Sequence, residues 1–249
     1  MYLGISPQKS CARAWAAAAS AIIETGEAYN VIIDVTDPVT HDDTDNEVIS
    51  SVDKFLRLHD KNPIITVSNT VFPQSLYDAN GSPDFYAIEH RDYDMLTETR
   101  RWGRYFERLT RHQKADGKTY NPLQEMIDKM RKQEQAGVRY KAAYELAVYD
   151  PLLDGRTLYG GQCLSFLSFK RHPTRGLLQT AMYRNHTYVT RCLGNLIGLG
   201  RLQAFVAKEV GIKTGSLTVI STHAELDAGT WGKKQARELI QQAAAMFAA

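Results

Sequence analysis

The sequence predicts a single α+β domain. Two short apolar runs, Leu164–Phe169 and Leu178–Tyr183, have the length and alternation of paired strands and are joined by a turn around His172-Pro173-Thr174-Arg175-Gly176. Leu196, Leu199, Leu202, Phe205 and Val206 recur at helical spacing up to Gly211. No internal repeat, low-complexity linker or composition shift divides the 249 residues, and a 43% hydrophobic content is enough for a sizeable core.

In chain order, Pro7 to Glu24 consists mostly of strong helix formers, and Gly26 follows where a helix end favours glycine, so the first helix is placed there. Tyr29–Val35 is a β-branched strand closed by Asp37-Pro38. The acidic stretch His41–Glu47 is a loop leading into a helix through Leu58. Pro63–Val67 reads as another short strand, and Asn80-Gly81-Ser82-Pro83 as a turn. Leu96–Arg111 and Leu123–Gln135 read as helices, the second charged and amphipathic. Leu217–Ser221 is a further strand, and the last helix starts at about Lys233.

A net charge of +2 is too near neutral for a nucleic-acid partner, whose phosphates call for a clustered basic face. Cys11, Cys163 and Cys192 are odd in number and unrelated in spacing, which fits neither a disulfide framework nor zinc-ligand pairs and places the protein in a reducing cytoplasm. The alanine-rich helix of Trp15–Ile23 is not a signal segment, and no run of 18 apolar residues suggests a membrane partner.

Cys163 follows Gly160-Gly161-Gln162 at a loop-to-strand junction, where glycines let a substrate approach the backbone. Alone, such a cysteine is more often a small buried hydrophobe than a catalyst. Arg184 ends the second strand of the hairpin, Asn195 starts a helix and His223 falls just past a strand, so four chemically useful residues sit at element ends. Cys192 reads as packing and His186 as a surface histidine. A papain-like Cys–His hydrolase lacks its usual sequence surroundings here.

Gln162-Cys163, Tyr183-Arg184-Asn185, Leu193-Gly194-Asn195 and Thr222-His223-Ala224-Glu225 resemble, in order and spacing, the motifs of thymidylate synthases and the related pyrimidine nucleotide hydroxymethylases. Twenty-one positions separate Cys163 from Arg184 (184 minus 163) and eleven separate Arg184 from Asn195 (195 minus 184). The resemblance covers roughly residues 100 to 230. It implies a large mixed or antiparallel sheet flanked by helices, and a homodimer whose sheets pack back to back. Cys163 takes the place of the nucleophile that attacks carbon 6 of the pyrimidine, Arg184 that of the phosphate ligand, Asn195 that of the base reader and His223 that of the sugar-hydroxyl ligand. Asn185 and Glu225 fall among the substrate-binding residues, with Glu225 standing where the family usually has tyrosine. Tyr105, in Trp102-Gly103-Arg104-Tyr105, matches a tyrosine near the cysteine, and Arg139 lies where members lend an arginine across the dimer. Thr187 occupies the cofactor-binding place at which an aspartate commonly meets the pterin of 5,10-methylenetetrahydrofolate.

The chemistry implied is covalent. Thiolate addition at carbon 6 makes carbon 5 of a uridylate-type nucleotide nucleophilic toward a one-carbon unit, and a guanidinium nearby both binds phosphate and favours the thiolate. An amide suits the N–H and carbonyl of uracil. Other features depart from the pattern. Ser68–Tyr77 has no acid where the family carries a proton-relaying glutamate, so Gln74 is the nearest polar candidate, and either another acid such as Glu89 serves or the chemistry differs. Glu238–Ala249 reads as a helix where members have an extended closing tail, and Thr36–Asp42 is acidic where an arginine is usual. The expected activity is methyl transfer, with hydroxymethyl transfer to dUMP, dCMP or CMP and folate-independent nucleotide binding as alternatives.

Overall fold

In the computed structural model, which describes residues 2–96, 104–114, 116–155, 161–229 and 231–248, β1 (Leu3–Gly4) runs parallel to β2 (Glu27–Val35). Between them α1 (Cys11–Ala21) is shorter than the expected Pro7–Glu24. Ser10 caps it by accepting from the Arg13 amide, and Gln8 is held instead in a bridge to Val35. Gly26, at φ +81°, takes the left-handed conformation that ends the segment. The Trp15 indole, fully buried, donates to the Tyr188 carbonyl at 2.7 Å and ties α1 to the far half of the chain. α2 (Asp43–Leu58) opens with a reciprocal cap between Asp42 and Asp45, and its sequence-predicted end is correct.

The expected strand Pro63–Val67 is instead α3 (Ile64–Val71). Its β-branched residues suggest a strand, yet Ile64, Val67 and Val71 are buried at helical spacing. Tertiary contact decides the outcome: a Cβ added at Gly194 would lie 2.7 Å from Val67 and one at Gly198 2.7 Å from the Ser68 carbonyl, so α3 packs where a later helix offers only glycine. α4 (Gln74–Asn80) and α5 (Asp84–Leu96) flank the predicted turn at Gly81. Of the expected helix Leu96–Arg111, Leu96 closes α5 and Tyr105–Thr110 forms α6; Trp102 and Gly103 lie outside the described residues. Next come the small hairpin β3 (His112–Gln113) and β4 (Thr119–Tyr120), then α7 (Pro122–Gln135), β5 (Glu145–Ala147) and the one-turn α8 (Pro151–Asp154).

The predicted hairpin is β6 (Leu164–His172) with β7 (Gly176–Tyr183), antiparallel and with Leu164 opposite Tyr183 at its open end. β8 (His186–Thr187) leads through a π-helical turn, Tyr188–Cys192, into α9 (Leu193–Val210). Asn195 is therefore in the first turn of α9, at the helix start that the sequence predicts. β9 (Thr214–Glu225) outruns the expected Leu217–Ser221, so His223 and Glu225 belong to the strand. α10 (Gly232–Ala248) packs on α1 and α2.

The sheet runs β1-β2-β9-β7-β6-β5, with β8 paired to β9, and mixes parallel with antiparallel neighbours. Its two faces differ because side chains alternate. Leu217, Val219, Ala181 and Leu167 are fully buried beneath the helices. On the other face, register aligns Ile32, Ile220, Met182 and Phe166 across four strands. None of these four is fully buried, and Met182 is 37% exposed. No helix of the described residues is long and apolar enough to cross a membrane.

Candidate functional site

The open end of the β6–β7 hairpin forms one wall of a pocket of about 300 Å³, whose lining includes Tyr105, Cys163, Asn185, Thr187 and Asn195. Those five sequence-predicted residues come from α6, the approach to β6, the β7–β8 link, β8 and α9, over a span of ninety positions (195 minus 105).

Cys163 sits just before β6 and is partly buried; its carbonyl accepts from the Arg184 amide at 2.9 Å, which closes the hairpin end. Gly161 sits at φ +79°, and a Cβ there would lie 3.2 Å from both the Arg184 guanidinium and the Asp154 carboxylate. Burial pushes the Cys163 thiol above its ordinary value of 9.0, while the charges of Arg184 and Arg191 pull it back. Cys11 and Cys192 are fully buried, and burial raises both thiols strongly. Cys163 is therefore the accessible nucleophile of the three.

Arg184 lies at the rim, exposed, with its Nε donating to the Gln162 carbonyl at 3.0 Å and its guanidinium over the Tyr149 ring at 5.9 Å. Beneath it Arg108 and Asp154 form a buried bidentate pair at 3.1 and 3.0 Å. Tyr105 packs edge-on against Tyr183 at 6.2 Å. Burial raises its phenol, and the backbone amides of Leu164 and Cys163, as hydrogen-bond partners, act in the opposite sense.

Asn195 lines the pocket and is 3% exposed, and its Oδ1 is buried without a hydrogen-bond partner. A buried acceptor left unpaired costs about 1–3 kcal/mol, so this oxygen is suited to a ligand donor. Behind it stands His186, read from sequence as a surface residue but 1% exposed, stacked on Tyr183 at 4.1 Å and held neutral by burial with a pKa near 3.

Five expected residues do not line the pocket: Arg184 only borders it, and Gln74, Arg139, Glu225 and His223 stand apart. Gln74 begins α4 and donates to Asp78 at 2.8 Å; Thr70, from the end of α3, lines the pocket in its place. Arg139 is exposed near Arg171 and His172, in a separate depression. Glu225 pairs in register with Thr187 and Glu27 but does not line the pocket. His223 touches the site through one intermediary: its Nδ1 lies 2.7 Å from Asn185 Oδ1, and its Nε2 3.0 Å from Glu27.

Arg104, Arg191 and Thr70 also line the pocket and escaped the sequence reading. Arg191 was detectable, since it precedes Asn195 by four positions, the spacing that puts two helical side chains on one face. It also joins the pocket to a second one of about 350 Å³ that contains Lys61, Asp227 and Trp231. Asp227 accepts from the amide of Val189 at 2.7 Å and from the Thr190 hydroxyl at 2.5 Å, and burial raises its carboxyl. The Trp231 Nε1 is buried without a partner. Neither a protein-family model nor a curated protein matches the sequence.

Proposed function

We propose that this chain is a thymidylate synthase-type transferase that passes a one-carbon unit to carbon 5 of a uridylate-type pyrimidine nucleotide through a covalent adduct on Cys163. The carrying observation is that Cys163, Tyr105, Asn185 and Asn195, distant in sequence, line one pocket with Arg184 at its rim. Arg184 binds the 5′-phosphate as a charge-assisted partner. Asn195 pairs with the edge of the base from the buried end. That leaves carbon 6 facing the thiol. Cys163 adds there, electrons move to the ring carbonyl, and carbon 5 becomes the nucleophile toward the one-carbon unit, which the cofactor would supply with cleavage of its own C–N bond together with the hydride that a methyl product needs, or with water in its place for a hydroxymethyl product; loss of the carbon 5 proton and expulsion of the thiolate restore the ring.

The cofactor that the resemblance implies is assigned to the second pocket, where Lys61 and Arg191 would meet an anionic tail with Asp60 and Asp227 in the same lining. When bound there, 5,10-methylenetetrahydrofolate supplies the one-carbon unit. Thr187 offers only a hydroxyl where a carboxylate is usual.

One observation favours hydroxymethyl transfer as the second reading. The C-terminal residues 232–248 are docked as α10 against α1 and α2, so this segment does not close over the pocket and water keeps access to an electrophilic intermediate. A homodimer is supported by the open sheet face, where Ile32, Ile220, Met182 and Phe166 make an apolar row. Arg139 would then act across that dimer, in the partner's site. Unpaired Cys11, Cys163 and Cys192 support a reducing, cytoplasmic setting.

The test is mass spectrometry after incubation with 5-fluoro-dUMP and methylenetetrahydrofolate, followed by product masses from dUMP, UMP, dCMP and CMP. A covalent adduct that vanishes in Cys163→Ala supports the reading. The wild-type protein forming neither adduct nor product overturns it in favour of a folate-independent nucleotide binder.

A further inference from the structure

Asn195 alone is an ambivalent reader. A side-chain amide turned over exchanges its donor for its acceptor with almost no change of shape. Uracil presents an N–H at N3 beside a carbonyl at C4, and cytosine presents a bare N3 beside an amino group, so one orientation of the amide complements uracil and the other cytosine. Something behind the amide must break the tie.

His186 is placed to do so. Asn195 Nδ2 lies 3.1 Å from His186 Nε2, and His186 Nδ1 lies 3.0 Å from Ser221 Oγ. The Ser221 hydroxyl is in turn 3.5 Å from the Tyr188 hydroxyl, and Ser221 is fully buried. The ring is clamped between Tyr183, stacked at 4.1 Å, and Tyr188, edge-on at 5.5 Å. A neutral imidazole carries one N–H. With that proton on Nδ1 and donated to Ser221, Nε2 can only accept, and the amide must offer its N–H to it. Turning the amide over would set two acceptors against each other unless the imidazole proton changed nitrogen. In this orientation Oδ1 is the amide atom left without a partner, buried on a residue that lines the pocket. Oδ1 then accepts from N3–H of uracil, and the second Nδ2 proton is left for the C4 carbonyl. Cytosine would meet an acceptor with an acceptor and a donor with a donor.

We propose that His186, in the Nδ1–H form held by Ser221, is a positioning residue that locks the Asn195 amide and makes the site select uracil over cytosine. The inference rests on the pocket being a pyrimidine nucleotide site. It differs from the assignment of Asn195 as reader, because it places the discrimination in the side chain that fixes which way the reading amide is turned.

The test combines ring ¹⁵N shifts of His186, recorded without ligand, with calorimetric binding of dUMP and dCMP. The wild-type protein is expected to show the Nδ1–H tautomer and to bind dUMP at least about tenfold more tightly than dCMP, since mismatched buried polar groups are heavily penalised. His186→Leu should bring that ratio toward one. Ser221→Ala keeps the packing, frees the tautomer and should lower the ratio too, which guards against misfolding of the leucine variant. An Nε2–H tautomer in a wild-type protein that binds dUMP overturns this inference alone. An unchanged ratio in both variants also overturns it. Failure of the wild-type protein to bind either nucleotide removes the parent reading and this one with it.

Discussion

Replacing Glu89 by glutamine should stabilise the protein at alkaline pH and leave it unchanged in acid. Glu89 sits on α5 with 2% of its surface exposed; neither carboxylate oxygen has a hydrogen-bond partner, and the nearest cation, Arg104, is 3.8 Å away. Burial raises its pKa from 4.5 to about 7, with Arg104 opposing the rise only in part. The sign follows from proton counting. Between those two values the folded protein keeps a proton that the unfolded chain has released, so stability falls as pH rises through 4.5 to 7 and stays at its lower level above. At about 1.4 kcal/mol per pKa unit, the loss by pH 8 is about 3 kcal/mol. Glu89→Gln removes the ionisation and keeps the shape. Urea unfolding of both proteins at pH 5 and pH 8 measures the effect, as a gain for the variant at pH 8 approaching 3 kcal/mol and a negligible difference near pH 5. Parallel stability profiles for the two proteins across that range would refute the claim that Glu89 is buried as an unpaired acid.

The thiols provide a second check. Iodoacetamide should modify Cys163 ahead of Cys11 and Cys192, with a pH midpoint above 9.0, and Arg184→Ala should move that midpoint further up because it removes an attraction for the thiolate; a midpoint below 9.0 would contradict the burial argument. Asp154→Ala should destabilise the fold by about 3–5 kcal/mol, because it removes one half of a buried bidentate ion pair, and the double variant with Arg108→Leu should recover much of that loss. Equal stability of the single and double variants by thermal unfolding would count against it. Arg184→Ala should weaken a pyrimidine 5′-monophosphate by about 1.5–3 kcal/mol and the matching nucleoside hardly at all; calorimetry showing equal losses would move the phosphate elsewhere.

What the sequence disclosed about the site, and what it hid, follows from the range of the forces involved. Cys163, Arg184 and Asn195 were legible because each belongs to a local motif at a recognisable junction. The β6–β7 hairpin was legible because alternation and a turn act over a few residues. α3 was misread because β-branched composition favours a strand, while the deciding contact, glycine-lined α9, lies more than a hundred positions away. That misreading carried into the site. Once 64–71 is helical and the chain turns at Phe72-Pro73, Gln74 starts a new helix directed at Asp78 and Thr70 is left on the wall. His186 was hidden for a similar reason. Its neighbour Arg184 is exposed, but two residues on the chain has entered β8, whose pairing with β9 buries the ring.

The electrostatics of the pocket narrow its ligand further. Its deep end is uncharged: Asn195 and a neutral His186 offer hydrogen bonds without a net field, and burial would make any charge there expensive. The cations are distributed otherwise, with Arg184 at the rim and Arg104 and Arg191 on the walls, the outer two exposed and Arg104 only partly so. A ligand anionic throughout would leave its inner charge unpaired, and a wholly neutral one would leave the arginines unused. A molecule with a flat, neutral, hydrogen-bonding ring at one end and an anion at the other satisfies both ends at once, in one orientation. That orientation would set the ring beside Cys163, whose thiolate the charges of Arg184 and Arg191 favour against burial.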